Sequence, residues 1–218
     1  PGPVPARVGH DAPIRRNGGF FFAEDPSLDA TQARLLWHAD LDPGTLRVRA
    51  VPSIAGNPDA IDPADLAPWL TLVSDAAGEH AVLSNGWQHI RLDIDQGSLS
   101  HGAVVLEYLL RGLASAEPQI LPLRRLVDLA RRRRFRADLY PPDRRIGRWL
   151  MALQVHDAMQ AGASQREMAR ALFDAGAASE EFDRRADSLR SRVRRLAREA
   201  VALARGGYRT LMRRQVEP

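Results

Sequence analysis

The chain has 218 residues, 44% of them apolar, with 31 basic and 27 acidic side chains and a formal net charge of +4. That composition suits one large or two small globular domains. No run of about eighteen uncharged apolar residues and no basic-then-apolar opening is present, so a membrane span or secretory signal is not expected and a cytoplasmic location is. The lack of cysteine excludes disulfides, thiolate zinc sites and cysteine nucleophiles.

Every basic residue is arginine, a bias that a GC-rich genome would explain by itself. Its distribution says more. Residues 1–120 hold 8 Arg against 15 acids, residues 121–218 hold 23 Arg against 12, so the halves run from −7 to +11. A basic half next to an acidic one points to two domains and to a polyanionic partner, nucleic acid first, because guanidinium forks match phosphate oxygens and displace counterions.

In chain order, residues 1–19 are rich in Pro, Gly and Arg without apolar period and read as a flexible leader; the opening lacks methionine, which points to a trimmed chain or a fragment. Residues 20–118 read as a β-rich domain. Leu46–Val51 alternates, and Trp69–Ser74, His80–Ser84 and Trp87–Ile94 follow between turn residues. Asn85-Gly86 predicts a two-residue type I′ hairpin, since both residues tolerate positive φ, and the whole predicts a meander. Val104–Leu113 suits a strand or a buried helix and is read as a strand.

Residues 119–218 read as a helical domain. Leu123, Leu126, Val127 and Ala130 recur at helical spacing from Leu121 on, ending in the Arg131–Arg134 run before the Pro141-Pro142 break. The arginine run suits a phosphate grip and a helix C-terminus equally. Next, Ile146, Trp149, Leu150 and Leu153 predict one buried stripe, closed by Gly162. Ser164-Gln165-Arg166-Glu167 forms a capping box opening a helix with Met168, Ala169 and Leu172 inward. After a long interval, a helix capped at Asp187 or Ser188 runs to Gly206-Gly207. Leu189, Val193, Leu196, Ala200, Leu203 and Ala204 share one side of it, and Arg190, Ser191, Arg194, Arg198 and Arg205 the other. An arginine face with only Glu199 nearby repels itself and would gain from a groove lined by phosphates. A short capped helix before it, with a small alanine at mid-length, matches the start of a helix-turn-helix.

The stretches Ala161–Ala169, Ser188–Leu196 and Gly206–Arg209, with Pro141–Arg145 and His156-Asp157-Ala158, resemble the proteobacterial domain of unknown function family 2285 over about residues 120–214. Glu24-Asp25-Pro26 and Leu36-Trp37-His38 resemble the β-rich region that precedes it in longer members. The resemblance implies a variant helix-turn-helix of activators and antiactivators that control excision and conjugative transfer of mobile elements.

Other features point to local roles. Asp157, beside the apolar stripe, needs a partner such as Arg166; Tyr208 suits docking after a glycine stop; Asp93-x-Asp95 reads as the end of a strand. The six histidines lack zinc spacing, and no phosphate-cradling loop or nucleophile elbow is present, so no metal, cofactor or enzyme activity is expected. The expectation is an α+β chain, a mostly antiparallel β-domain and then a helix-turn-helix domain that regulates transcription on double-stranded DNA. Arg190, Ser191, Arg194 and Arg198 would reach base edges, and Arg195, Arg205 and Arg166 phosphates. The alternative is an antiactivator that masks a related regulator. Another regulator or RNA polymerase as partner, and a homodimer, are left open.

Overall fold

The computed structural model describes residues 6–8, 29, 32–37, 39–54, 56–75, 78–173 and 179–213. By contacts they form two compact units that divide in sequence between Pro141 and Pro142, with residues 212 and 213 grouped with the first. The architecture is α+β: strands to residue 108, helices from residue 113.

The sheet of the first unit comprises β1 (Ala6–Val8), β2 (Leu46–Pro52), β3 (Ala60–Ile61), β4 (Leu70–Asp75), β5 (Gly78–Ser84), β6 (His89–Gln96) and β7 (Val104–Tyr108), in spatial order β1-β4-β5-β6-β2-β7-β3. Four strand pairs are antiparallel. The other two, β1 with β4 and β2 with β6, are parallel. The expected meander therefore covers β4-β5-β6 alone, and β2 joins it by a crossover that alternation cannot reveal. Ala6–Val8 lies inside the stretch expected to be a leader yet pairs with β4, while the rest of 1–19 and the Glu24-Asp25-Pro26 motif lie outside the described residues.

Two-residue periodicity sorts the side chains. Ile90, Leu92 and Ile94 of β6, with Leu46, Val48, Leu72, Ala81 and Leu83, bury one face under α1 (Leu113–Arg132), which contributes Leu126 and Leu129. The helix starts eight residues before the expected Leu121, so prolines 118 and 122 lie inside it. They stand one turn apart, so the two hydrogen bonds they remove fall on one side of the helix. Of the arginines at its end, Arg132 pairs with Asp128, Arg133 with Asp65, and Arg136 with Asp128 and Asp138. Carboxylates thus occupy much of that run.

The Asn85-Gly86 connection is longer than expected. Ser84 pairs with His89, leaving four loop residues, and only Gly86 takes positive φ (101°). The Asn85 side chain explains this: its Oδ1 accepts from the amides of Trp87 and Gln88, closing an Asx turn that replaces the primed turn.

The other face carries Val73 and Val82 against Leu36, and a buried polar layer. Asp93-x-Asp95, expected at the end of a strand, lies in the last residues of β6 before Gln96, and Asp93 meets His80 across the β5–β6 pair. His80 Nδ1 lies 2.9 Å from Asp93 Oδ1, and Nε2 lies 3.3 Å from Asp75 Oδ1. Burial disfavours the charged ring, but the hydrogen bond and charge of Asp93 and the charge of Asp75 outweigh it and raise the His80 pKa above 6.5. Because the folded pKa exceeds the unfolded one, the stabilisation is fully present below about pH 6.5 and is lost as pH rises through the folded value. Thermal unfolding should accordingly show that His80→Gln costs most at pH 6 and progressively less toward alkaline pH. A cost independent of pH would refute the charged state.

Candidate nucleic-acid interface

The second unit, residues 142–211, is built on α2 (Ile146–Gln160), α3 (Gln165–Phe173) and α4 (Ser179–Ala202). A π-type turn at Leu203–Gly207 follows, and then α5 (Tyr208–Arg213). The core holds Ala152 and Val155 of α2, Met168 and Ala169 of α3, and Val193, Leu196 and Ala200 of α4. This overturns the expected α2 stripe. Ile146, Leu150 and Leu153 are exposed, at 45%, 55% and 57%, and Trp149 is half-buried under the Arg145 guanidinium. Small side chains face inward because α2 and α4 pack closely, and hydrophobicity alone favours the larger ones.

The link from α2 to α3 follows the sequence. Gly162 takes φ 80°, its amide bonds the Met159 carbonyl and that of Ala163 bonds Ala158, which is a Schellman closure. The capping box then opens α3. The Ser164 amide donates to Glu167 Oε2 at 2.7 Å, and the Glu167 amide donates to Ser164 Oγ at 3.3 Å. Hydrogen bonding to its carboxyl from the Ser164 side chain and the Ser164 amide holds Glu167 below its usual pKa.

α4 begins at Ser179, so the expected cap at Asp187 or Ser188 is absent and those residues lie within a 24-residue helix. Residues 174–178 lie outside the described residues. Leu189 and Leu203 flank the buried Val193, Leu196 and Ala200 as expected, but Ala204 is exposed, the backbone having left α-geometry before Gly206 (φ 108°).

On the opposite side, Ser191, Arg194 and Arg198 follow one another at three- and four-residue steps, with Arg195 next to Arg194 and Arg205 beyond them in the π-type turn. Arg190, Arg194, Arg195, Arg198 and Arg205 are exposed and Ser191 is half-buried. Arg166, on α3, is exposed as well. Among the described residues no carboxylate pairs with Arg194, Arg195, Arg198 or Arg205. The one acid within residues 188–213, Glu199, is held from α2 instead, with Arg148 Nη2 at 2.6 Å and Nε at 2.9 Å. Arg192 leaves the face too, stacking 4.3 Å above the Phe173 ring. Asp157 is solvent-exposed beside His156, correcting the expectation that it bridges a neighbouring helix. The positive φ after α4 belongs to Gly206 and not Gly207, the residue that immediately precedes α5.

Residues 114–213 match the family described as "T6SS, Transcription factor, DNA binding domain". The match spans α1 to α5, somewhat under half of the chain, and supports a DNA-binding regulator domain there. No curated protein and no solved structure matches the chain. Among the described residues no helix is long and apolar enough to cross a membrane.

The sequence missed two contributors to this face. Arg148 lies on a helix not considered for it and draws the acid Glu199 away from the arginine row; Phe173 ends another helix and holds Arg192 on its ring. Only the helical spacing of Glu199 relative to Arg195 could have raised the question of what neutralises that acid.

Proposed function

We propose that the chain is a sequence-selective transcriptional regulator in which α3 and α4 act as a variant helix-turn-helix on double-stranded DNA. Arg190, Ser191, Arg194 and Arg198 read base edges in the major groove, while Arg195, Arg205 and Arg166 hold phosphates. The observation that carries this reading is the row of exposed guanidinium groups at Arg194, Arg195 and Arg198, which have no carboxylate partner among the described residues while Arg148 occupies Glu199. Such a row is repulsive in isolation and favourable against phosphate. The family description and the resemblance to the domain family 2285 support the same class of role. They suggest different target genes, those of the T6SS and those of mobile-element excision and transfer.

The test is a titration of the full chain against genomic DNA fragments at several salt concentrations. Affinity should fall linearly on logarithmic axes with salt, and the best fragments should bind ~10³-fold or more above the average. Mapping those fragments distinguishes the two gene sets. A chain that prefers no fragment would instead support an antiactivator that masks a related regulator.

A further inference from the structure

A cavity of about 640 Å³ opens in the first unit, among the start of β2, the end of β6 and the first turns of α1. Its volume lies within the range of small-molecule sites, about 300–1,000 Å³. Charges of both signs line it. Arg111 and Asp95 are exposed, and neither has an ion-pair partner among the described residues; Arg47 approaches Asp40 only to 3.7 Å.

Three independent features mark it as a built site. First, the β2–β6 pairing skips a residue: Val48 faces Ile94 and Arg49 faces Gln96, so Asp95 is the bulged residue. A bulge re-aims a side chain out of the regular alternation. Second, Thr45 lines the cavity at 2% exposure, and its Oγ1 is closed off from solvent without a hydrogen-bond partner among the described residues; so is Oε1 of Gln119, a half-buried residue on the same wall. Buried polar atoms are ordinarily satisfied. Third, α1 starts at the cavity without a cap. Gly112 supplies no side chain at the N-cap, the first turn contains no acid, and Ala114 and Ser115 line the wall, so free amides and a positive helix end are left there. Pro118 has no N–H, which also leaves the Ala114 carbonyl without its helical donor.

We propose that this cavity binds a small organic anion that also carries hydrogen-bond donors. Arg111, Arg47 and the start of α1 take the anionic group, and Asp95 takes the donors. A nucleoside monophosphate and an α-amino acid are two sources of that chemistry, and titration separates them.

The full chain is titrated calorimetrically at low ionic strength with adenosine monophosphate, L-glutamate and inorganic phosphate. One organic ligand should bind with a Kd below about 1 mM, at least ~10-fold tighter than phosphate. Arg111→Gln should weaken it by ~10-fold or more, as loss of a charged hydrogen bond does. Asp95→Asn should narrow its advantage over phosphate. Both positions are exposed, and unchanged thermal midpoints will show that the variants fold. The double variant Arg194→Ala with Arg198→Ala should bind the ligand as the parent does, which separates this site from the arginine face of α4. Absence of binding by both organic ligands, indifference to Arg111→Gln, or loss of binding in the α4 variant would each overturn the proposal.

Discussion

Arg194→Ala is expected to weaken binding of the preferred duplex by ~1–3 kcal/mol, about 5- to 150-fold, and to relax the choice of base at one position. Arg194 stands exposed in α4, one turn from Arg190 and one from Arg198, where no carboxylate of the described residues has to be displaced before it enters a groove. Its planar fork can engage the two acceptors of a guanine edge together. Arg194→Lys keeps the charge but not the fork, so it should preserve nonspecific affinity while losing most of the discrimination. Arg195→Ala provides the contrast. As a phosphate contact, it should weaken all sequences alike and lower the salt slope by about one. Competition binding over a panel of single-base operator variants at two salt concentrations separates these outcomes. If Arg194→Ala cost the same on every sequence, the assignment of Arg194 to base reading would fail.

Local patterns were well legible in the sequence, and relationships between distant segments were not. The strands around Leu46–Val51, His80–Ser84 and Ile90–Ile94 follow from alternation, and both the Ser164–Glu167 capping box and the Gly162 closure follow from backbone chemistry confined to a few residues. The parallel β2–β6 pair depends on a crossover that no local period encodes. α2 misleads for another reason: Ile146, Leu150 and Leu153 form the more hydrophobic stripe, yet close approach of α4 selects Ala152 and Val155. The arginine face of α4 was legible as a helical spacing. That Arg194, Arg195 and Arg198 lack carboxylate partners among the described residues was not, because Arg148 and Glu199 are far apart in sequence and meet only through packing of α2 on α4.

The largest stability loss is expected from Asp42→Ala, about 3–5 kcal/mol, and it arises from the partner left behind. Arg91 alternates with Ile90 and Leu92 along β6 and so faces away from α1 into the second layer, where it is 8% exposed. Its charge is balanced there by Asp42, also 8% exposed, with Nη1 donating to Oδ2 at 2.8 Å; Nε donates to the Leu35 carbonyl at 3.0 Å. Burial pulls the Arg91 pKa down and the Asp42 charge opposes it, yet a guanidinium does not discharge near neutral pH. Removing the carboxylate therefore strands a cation and also frees the Gly44 amide that Asp42 Oδ1 accepts. Urea unfolding of Asp42→Ala, Arg91→Met and the double variant Asp42→Leu with Arg91→Met measures the effect. A buried ion pair replaced as a whole by apolar side chains of similar volume is close to neutral, so the double variant should recover most of what Asp42→Ala loses. A double variant as unstable as Asp42→Ala would mean that the geometry of this layer, and not the stranded charge, sets the cost.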